Sequence, residues 1–187
     1  LNKFEAIFVT LLCVLLLINA TNLTDGINGL CVGIATIWLV YVNYNFNLYM
    51  DYIPVIIICI LSFIFIIRGN FFLGNSGSHL LGILIGVLVI YSYNINLNSQ
   101  DTKNIISVEE IFILLMLPGI DMLRLFIMRI MRKKNPFSSD LFHLHHFLLF
   151  KTNLYFSLLI YFISMIIPLI VYNFFSLEAY LIVIAFS

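Results

Sequence analysis

Long apolar runs alternate with short polar segments along the whole chain of 187 residues. Runs of this kind predict membrane-spanning helices, because an open sheet cannot satisfy its backbone hydrogen bonds in lipid. We therefore predict an all-α, polytopic integral membrane protein with six full transmembrane helices and a partial seventh. The full spans are predicted at 4–18, 29–48, 52–67, 78–94, 106–131 and 154–173, and the partial one at 176–187. The third, at about 24 Å, is short for a core of about 30 Å, so we expect it to extend at either end.

Composition supports one transmembrane domain over residues 1–187, since 63% of the residues are hydrophobic and only 10% are charged. The formal net charge is zero, which gives no reason to expect nucleic acid as a partner. The sequence starts at Leu1 rather than Met and stops inside an apolar run. We expect it to be the C-terminal part of a longer protein that has further N-terminal helices.

Basic residues are concentrated in alternate connections between the predicted spans. One side has only Lys3 and Lys103. The other side, which the positive-inside rule makes cytoplasmic, has Arg68, Arg124, Arg129, Arg132, Lys133, Lys134 and Lys151. The same alternation puts three polar segments on the cytoplasmic face, where we expect them to converge.

The first two polar segments are rich in glycine and in small polar residues. Asn19–Leu30 contains one carboxylate, three carboxamides and two glycines, and we predict a tight surface loop able to hold a cation or a phosphate. Arg68–His79 has three glycines and two serines before a helix predicted from Leu80 onward, an arrangement that suits phosphate binding. Alternatively, the serines only cap that helix.

The third segment, Arg129–His146, combines basic residues, one acid and three histidines, which fits a doubly charged phosphate ester. Its basic run also fits a topology signal lying against anionic lipid headgroups. A zinc site is a further alternative, since a helix over 140–146 would bring Asp140, His143 and His146 to successive turns.

The fifth predicted span contains ionisable residues, which in a membrane helix indicate a functional role. Asp121 and Arg124 are three residues apart and therefore able to pair, after a helix kink expected at Pro118-Gly119. The alternative is that the pair only orients the helix or the segment after it.

Four of these stretches resemble the motifs of the polyprenyl-phosphate sugar-1-phosphate transferases (glycosyltransferase family 4), which include the phospho-N-acetylmuramoyl-pentapeptide translocases. Asn19–Leu30 is similar to the family's Asn-Ala-x-Asn-x-x-Asp-Gly-x-x-Gly-Leu, and Phe72–Ser78 to its Phe-x-Gly-Asp-x-Gly-Ser. Pro118–Asp121 resembles the Pro-x-x-Asp helix. Pro136–His146 resembles Pro-Phe-x-x-Asp-x-x-His-x-His-His, and the four motifs follow the family's order.

The resemblance implies Mg²⁺-dependent transfer of an N-acetylhexosamine-type sugar-1-phosphate from a UDP-sugar to undecaprenyl phosphate. This would be the first membrane step of cell-envelope polysaccharide synthesis, at the cytoplasmic face of the bacterial inner membrane, and it leaves a homodimer open as the oligomeric state. The implied metal contacts are Asn22 and Asn75. The implied catalytic residues are Asp25, His143, His145 and His146, with the histidines on phosphate. The implied substrate contacts are Gly26 and Ile27 with uracil, Phe72 stacked on the base, and Ser76, Ser78 and Asp140.

Two departures from the family pattern bear on activity. The family has Asp where this chain has Asn75, so magnesium affinity should be lower, and the family's paired-aspartate loop has no counterpart in these 187 residues. We expect that this stretch expressed alone shows no transfer. An inactive relative that binds lipid phosphate remains an alternative, as does a membrane transporter.

Overall fold

The computed structural model describes residues 2–45, 52–98, 107–135 and 142–175, which form seven helices and no strand. The helices are α1 Lys3–Thr24, α2 Leu30–Asn45, α3 Ile53–Ile67, α4 Gly74–Asn98, α5 Val108–Met131, α6 Leu144–Lys151 and α7 Leu154–Phe175. Four of them, α1, α4, α5 and α7, are long and apolar enough to cross a membrane. The chain is thus an all-helical, multi-pass membrane protein. The partial span predicted at 176–187 lies outside the described residues.

The bounds of several helices differ from the prediction. α1 continues to Thr24 and does not stop near residue 18. The added turns tolerate polar side chains because their hydroxyls bond back to the helix: Thr21 Oγ1 donates to the Leu17 and Ile18 carbonyls, and Thr24 Oγ1 to that of Thr21. The extension expected for the third span is also wrong, since α3 is bounded by Tyr52 and Arg68.

The chain divides into two compact units, Leu1–Ile106 and Ser107–Ser187. In the first unit, α2 packs against α1, α3 and α4 and supplies most of the core. Leu30, Ile34 and Trp38 on α2 are fully buried, in contrast to the largely exposed apolar side chains of α1. Such exposed apolar surface is what a lipid-facing helix needs.

The most extensive helix contact in the first unit is between α1 and α4. Ser78, Gly82 and Gly86 follow one another on α4 at intervals of four residues. Their neighbours all lie on α1, between residues 14 and 22. A Cβ atom added to Gly82 would lie 2.5 Å from Thr21 Oγ1 and 3.0 Å from Ile18 Cα. Small residues at this spacing let two membrane helices approach until their backbones nearly touch.

The second unit contains α5, α6 and α7, with α7 packed against both of the others. α5 begins with a capping box in which Ser107 and Glu110 exchange hydrogen bonds, and Ser107 Oγ lies 3.0 Å from Tyr172 Oη on α7. α6 begins only at Leu144, after His143 in an extended conformation at the N-cap. The helix over 140–146 that the zinc alternative required is therefore wrong at His143.

Candidate functional site

The first polar segment is mostly helical. Asn19–Thr24 form the end of α1, so the predicted loop is reduced to the turn between Thr24 and Leu30. Gly29 closes this turn with φ +86°, and a Cβ atom there would lie 3.0 Å from Ile67 Cγ1 on α3. Glycine is needed here both for the left-handed backbone and for the close approach of α3.

The second polar segment also becomes helical earlier than predicted, because α4 starts at Gly74 and not near Leu80. Asn75, Ser76 and Ser78 lie in its first turns. Short polar residues suit this part of a helix, where their side chains can bond to nearby backbone groups. Ser78 Oγ donates to the Asn75 carbonyl in this way at 3.0 Å.

One hydrogen bond joins these two segments across 56 residues of sequence: Ser78 Oγ donates to Asn22 Oδ1 at 2.8 Å. The Ser78 side chain is fully buried, and Asn22 is half-buried at the end of α1. The predicted proximity of the first two segments is thus confirmed. The third segment belongs to the other unit, and its position relative to these two stays a prediction.

Asp25 is half-buried directly after α1. Burial raises the pKa of its carboxyl from 3.8 to about 6. At neutral pH the side chain is ionised in a partly desolvated position, where a bound cation would stabilise it.

The other predicted residues of the first unit differ in exposure. Asn75, Ser76 and Gly26 are exposed, and the Ile27 side chain is buried. Phe72 is 81% exposed and stacks on Phe71, with ring centroids 6.4 Å apart. Their roles toward metal, base and phosphate stay predictions.

In the second unit, Asp121 is the centre of a hydrogen-bond network. Its carboxylate accepts from Arg124 Nη2 at 2.8 Å, so the predicted pairing of these two residues is confirmed. It also lies 2.9 Å from His143 Nδ1 and accepts the backbone N–H of Leu144 at 3.2 Å. Arg124 Nη2 donates in turn to the Phe142 carbonyl at 2.7 Å. Asp121 and Arg124 together fasten the segment before α6 to α5.

The three histidines have different environments. His143 and His145 are buried, with nearly parallel rings whose centroids lie 5.3 Å apart, whereas His146 is half-buried. Burial, together with the neighbouring His146 and His143, lowers the pKa of His145 to about 3, so its ring is neutral at pH 7. Neither of its ring nitrogens has a hydrogen-bond partner in the described part of the chain. Asp140 lies outside the described residues.

A cavity of about 980 Å³ lies beside this network, between α5 and the 142–150 stretch. Its polar lining comes from Asp121, Arg124 and His146. Its apolar lining comes from Met116, Leu117, Ile120, Met128, Phe142, Leu144, Phe147, Leu149 and Phe150. An apolar cavity with a cationic side chain in its wall suits a lipid that has an anionic headgroup.

Sequence reasoning missed two features of the site. It grouped Asp140 with His143 and His146 as possible metal ligands, whereas ligand atoms of Asp121, His143 and His145 lie within 4.8 Å of one another. The only signal available was the rarity of an aspartate within a membrane helix. It also missed Gly82, although the four-residue spacing of Ser78, Gly82 and Gly86 is visible in the sequence.

Fold and site define a class: a polytopic helical membrane protein with small polar residues gathered at helix ends and an Asp–His–Arg network beside an apolar cavity. The chain belongs to glycosyl transferase family 4, which it matches over residues 1–93. This match contains the first two polar segments and ends before Asp121.

Individual relatives extend the similarity into the second unit. The chain is 28% identical over 169 residues to a decaprenyl-phosphate N-acetylglucosaminephosphotransferase of Mycolicibacterium smegmatis, covering 80% of this chain and 42% of that protein. It is 28% identical over 153 residues to the undecaprenyl-phosphate alpha-N-acetylglucosaminyl 1-phosphate transferase of Escherichia coli K12, covering 76% and 40%. A phospho-N-acetylmuramoyl-pentapeptide-transferase of Petrotoga mobilis is 37% identical over 81 residues, covering 42% and 26%.

The chain spans about two fifths of the length of the first two of these relatives. No solved structure matches it at a significant level.

Proposed function

We propose that this chain forms part of an enzyme that transfers an N-acetylhexosamine 1-phosphate from a UDP-sugar to undecaprenyl phosphate. The observation that carries the proposal is the Ser78–Asn22 hydrogen bond, because it joins two segments that each resemble a motif of the family. In this reaction an oxygen of the lipid phosphate attacks the phosphorus attached to the sugar, and the bond to UMP breaks. Catalysis of such transfers depends mostly on positioning the substrates and neutralising their charge.

The polar residues of the first unit fit Mg²⁺ in donor type, since Asn22, Asn75 and Asp25 offer oxygen ligands only. The raised pKa of Asp25 agrees with this assignment, because a cation beside this carboxylate would offset its partial desolvation. Bound magnesium would neutralise the charge of the diphosphate. Asn22, fixed by Ser78, and Asn75 would hold the ion, and Asp25 would serve in catalysis or in orienting the substrate.

We assign the lipid acceptor to the cavity of the second unit. Arg124 and His146 at its wall would hold the phosphate, and the apolar lining would take part of the prenyl chain. His143, held by Asp121, would fix the position of the segment that carries His146. The exposed Phe72 and the Gly26–Ile27 backbone are assigned to the base, and Ser76 to phosphate.

We further propose that the shorter apolar helices α2 and α3 also cross the membrane, which gives six spans over the described residues. With the basic residues on the inside, the polar ends of α1 and α4 then face the cytoplasm of a bacterial inner membrane.

UMP release tests the proposed reaction. The protein, expressed from its whole gene and purified in detergent, is given undecaprenyl phosphate, Mg²⁺ and a series of UDP-N-acetylhexosamines. We expect UMP release that requires both substrates and falls about tenfold or more in Ser78→Ala, which leaves Asn22 without its buried partner. Folded protein that releases no UMP with any donor would contradict the proposal, and substrate flux into vesicles would then favour a transporter.

Asn75 favours a second candidate, an inactive relative that binds lipid phosphate without transferring sugar phosphate. The variant Asn75→Asp separates the two functions, since it restores a charged magnesium ligand at an exposed position. For an enzyme we expect a lower magnesium requirement. For an inactive relative, neither protein releases UMP although both bind the lipid.

A further inference from the structure

Asp121, His143 and His145 form a compact cluster of metal-ligating side chains, and all three residues are buried. Their ligand atoms lie within 4.8 Å of one another, and His143 Nδ1 is 2.9 Å from Asp121 Oδ2. We propose that this cluster binds a zinc ion through a carboxylate oxygen of Asp121 and one ring nitrogen from each histidine. The site goes beyond the proposed transfer reaction and does not depend on it.

His145 supplies an independent reason to place a ligand here. Its side chain is 1% exposed, and both of its ring nitrogens lack a hydrogen-bond partner among the described residues. A buried polar group in this state calls for an explanation such as a bound ion.

The donor set favours zinc over magnesium. Two imidazole nitrogens with one carboxylate suit zinc, whereas Mg²⁺ prefers oxygen ligands and keeps several waters. Two ligands of a tetrahedral zinc lie about 3.3 Å apart, so a contraction of about 1.5 Å brings the most distant pair within range. Three protein ligands leave a fourth position, which water would fill.

Outer contacts already hold Asp121 in place. Arg124 Nη2 and the Leu144 backbone N–H both donate to its carboxylate, and such partners orient a metal ligand. A zinc ion bound here would join α5 to the start of α6. It would keep the 142–150 stretch against α5.

Metal analysis of the purified protein tests the site. The protein, prepared with zinc present and without a polyhistidine tag, is passed through a desalting column and analysed by plasma mass spectrometry. We expect about one more zinc per chain in the unmodified protein than in His143→Ala or His145→Ala. His79→Ala, a histidine change on α4 in the other unit, serves as the matched control and should retain the zinc.

Spectroscopy and stability separate a specific site from loose binding. Cobalt substituted for zinc should give the visible absorption of tetrahedral coordination, and His145→Ala should lose it. Zinc should raise the thermal midpoint of the chelator-treated unmodified protein, and this rise should be absent in His145→Ala. Circular dichroism checks that each variant keeps its helicity. If an alanine variant does not fold, His145→Gln is used in its place. Folded unmodified protein that binds no zinc, or equal zinc in the unmodified protein and both alanine variants, overturns the proposal.

Discussion

Replacing Gly82 by alanine should force α1 and α4 apart. The new Cβ atom would lie 2.5 Å from Thr21 Oγ1 and 3.0 Å from Ile18 Cα, both inside ordinary contact distance. The Thr21 hydroxyl cannot turn away freely, since it donates to the Leu17 and Ile18 carbonyls at 3.0 and 2.8 Å in a fully packed position. Ile18 Cα belongs to the helix backbone. The helices therefore have to move, by several tenths of an ångström or more.

Overpacking of this kind costs about 1–3 kcal/mol. For a chain of this size, 1 kcal/mol corresponds to about 2–4 °C, so the thermal midpoint should fall by about 2–12 °C. The strain lies one turn from the Ser78–Asn22 hydrogen bond, whose 2.8 Å length would increase toward the limit of about 3.0 Å for a good O–H···O bond. We therefore expect Gly82→Ala to weaken the site as well as the fold.

Thermal unfolding followed by tryptophan fluorescence measures the stability of the unit that contains Gly82. Trp38 is the single tryptophan of the 187 residues, and it is fully buried in the same unit. Gly86→Ala is the matched control, because its Cβ atom would lie 3.4 Å from Val14 Cγ1, an ordinary contact, and it should leave stability unchanged or raise it by up to about 1 kcal/mol. Thr21→Ala should recover part of the loss caused by Gly82→Ala. Equal midpoints for Gly82→Ala and Gly86→Ala would refute the reasoning.

Three further predictions concern charged side chains. Asp121→Ala removes the acceptor for the Leu144 N–H and should lower the free energy of unfolding by about 1–3 kcal/mol. The thermal midpoint should fall and proteolysis before α6 should become faster. An unchanged rate of proteolysis would contradict this prediction. Arg124→Gln should raise the KM for the lipid phosphate about tenfold while that for the UDP-sugar stays the same, and an equal rise in both would argue against the cavity assignment. Burial raises the pKa of Asp25 from 3.8 to about 6, so the folded chain holds this proton more tightly and the stability due to Asp25 falls as pH rises between these values. Asp25→Asn should remove that fall, as thermal scans at about pH 4.5 and about pH 7 without magnesium can check.

Local pattern predicted much of this structure from the sequence. Apolar run length located the six longer helices but not α6, and three-residue spacing was enough to pair Asp121 with Arg124. The ends of α1 and α4 were less predictable, because asparagine, serine and threonine suit turns and caps as well as polar helix ends. Only the packing of α1 on α4, with Ser78 against Asn22, decides which of these occurs.

The contact between Asp121 and His143 was beyond such reasoning. The two residues are 22 positions apart, and whether they meet depends on the path of the chain between them. The predicted metal ligands were chosen on a helical register over 140–146, which the extended His143 breaks. Sequence spacing within a segment therefore suggested neighbours along the chain, while the observed cluster takes its acid from α5.

The two polar clusters are built on different physical principles, and this difference has consequences for engineering. In the first, neutral side chains meet because small residues let α1 and α4 approach, so its geometry depends on volume. In the second, Asp121 and its donors hold α6 against α5 through charge-assisted hydrogen bonds, so its geometry depends on charge. A methyl group added at Gly82 should therefore damage the first cluster as much as a lost charge at Asp121 damages the second. The isosteric change Asp121→Asn keeps the volume and removes the charge, and it should weaken the second cluster nearly as much as Asp121→Ala if charge, rather than packing, holds α6 in place.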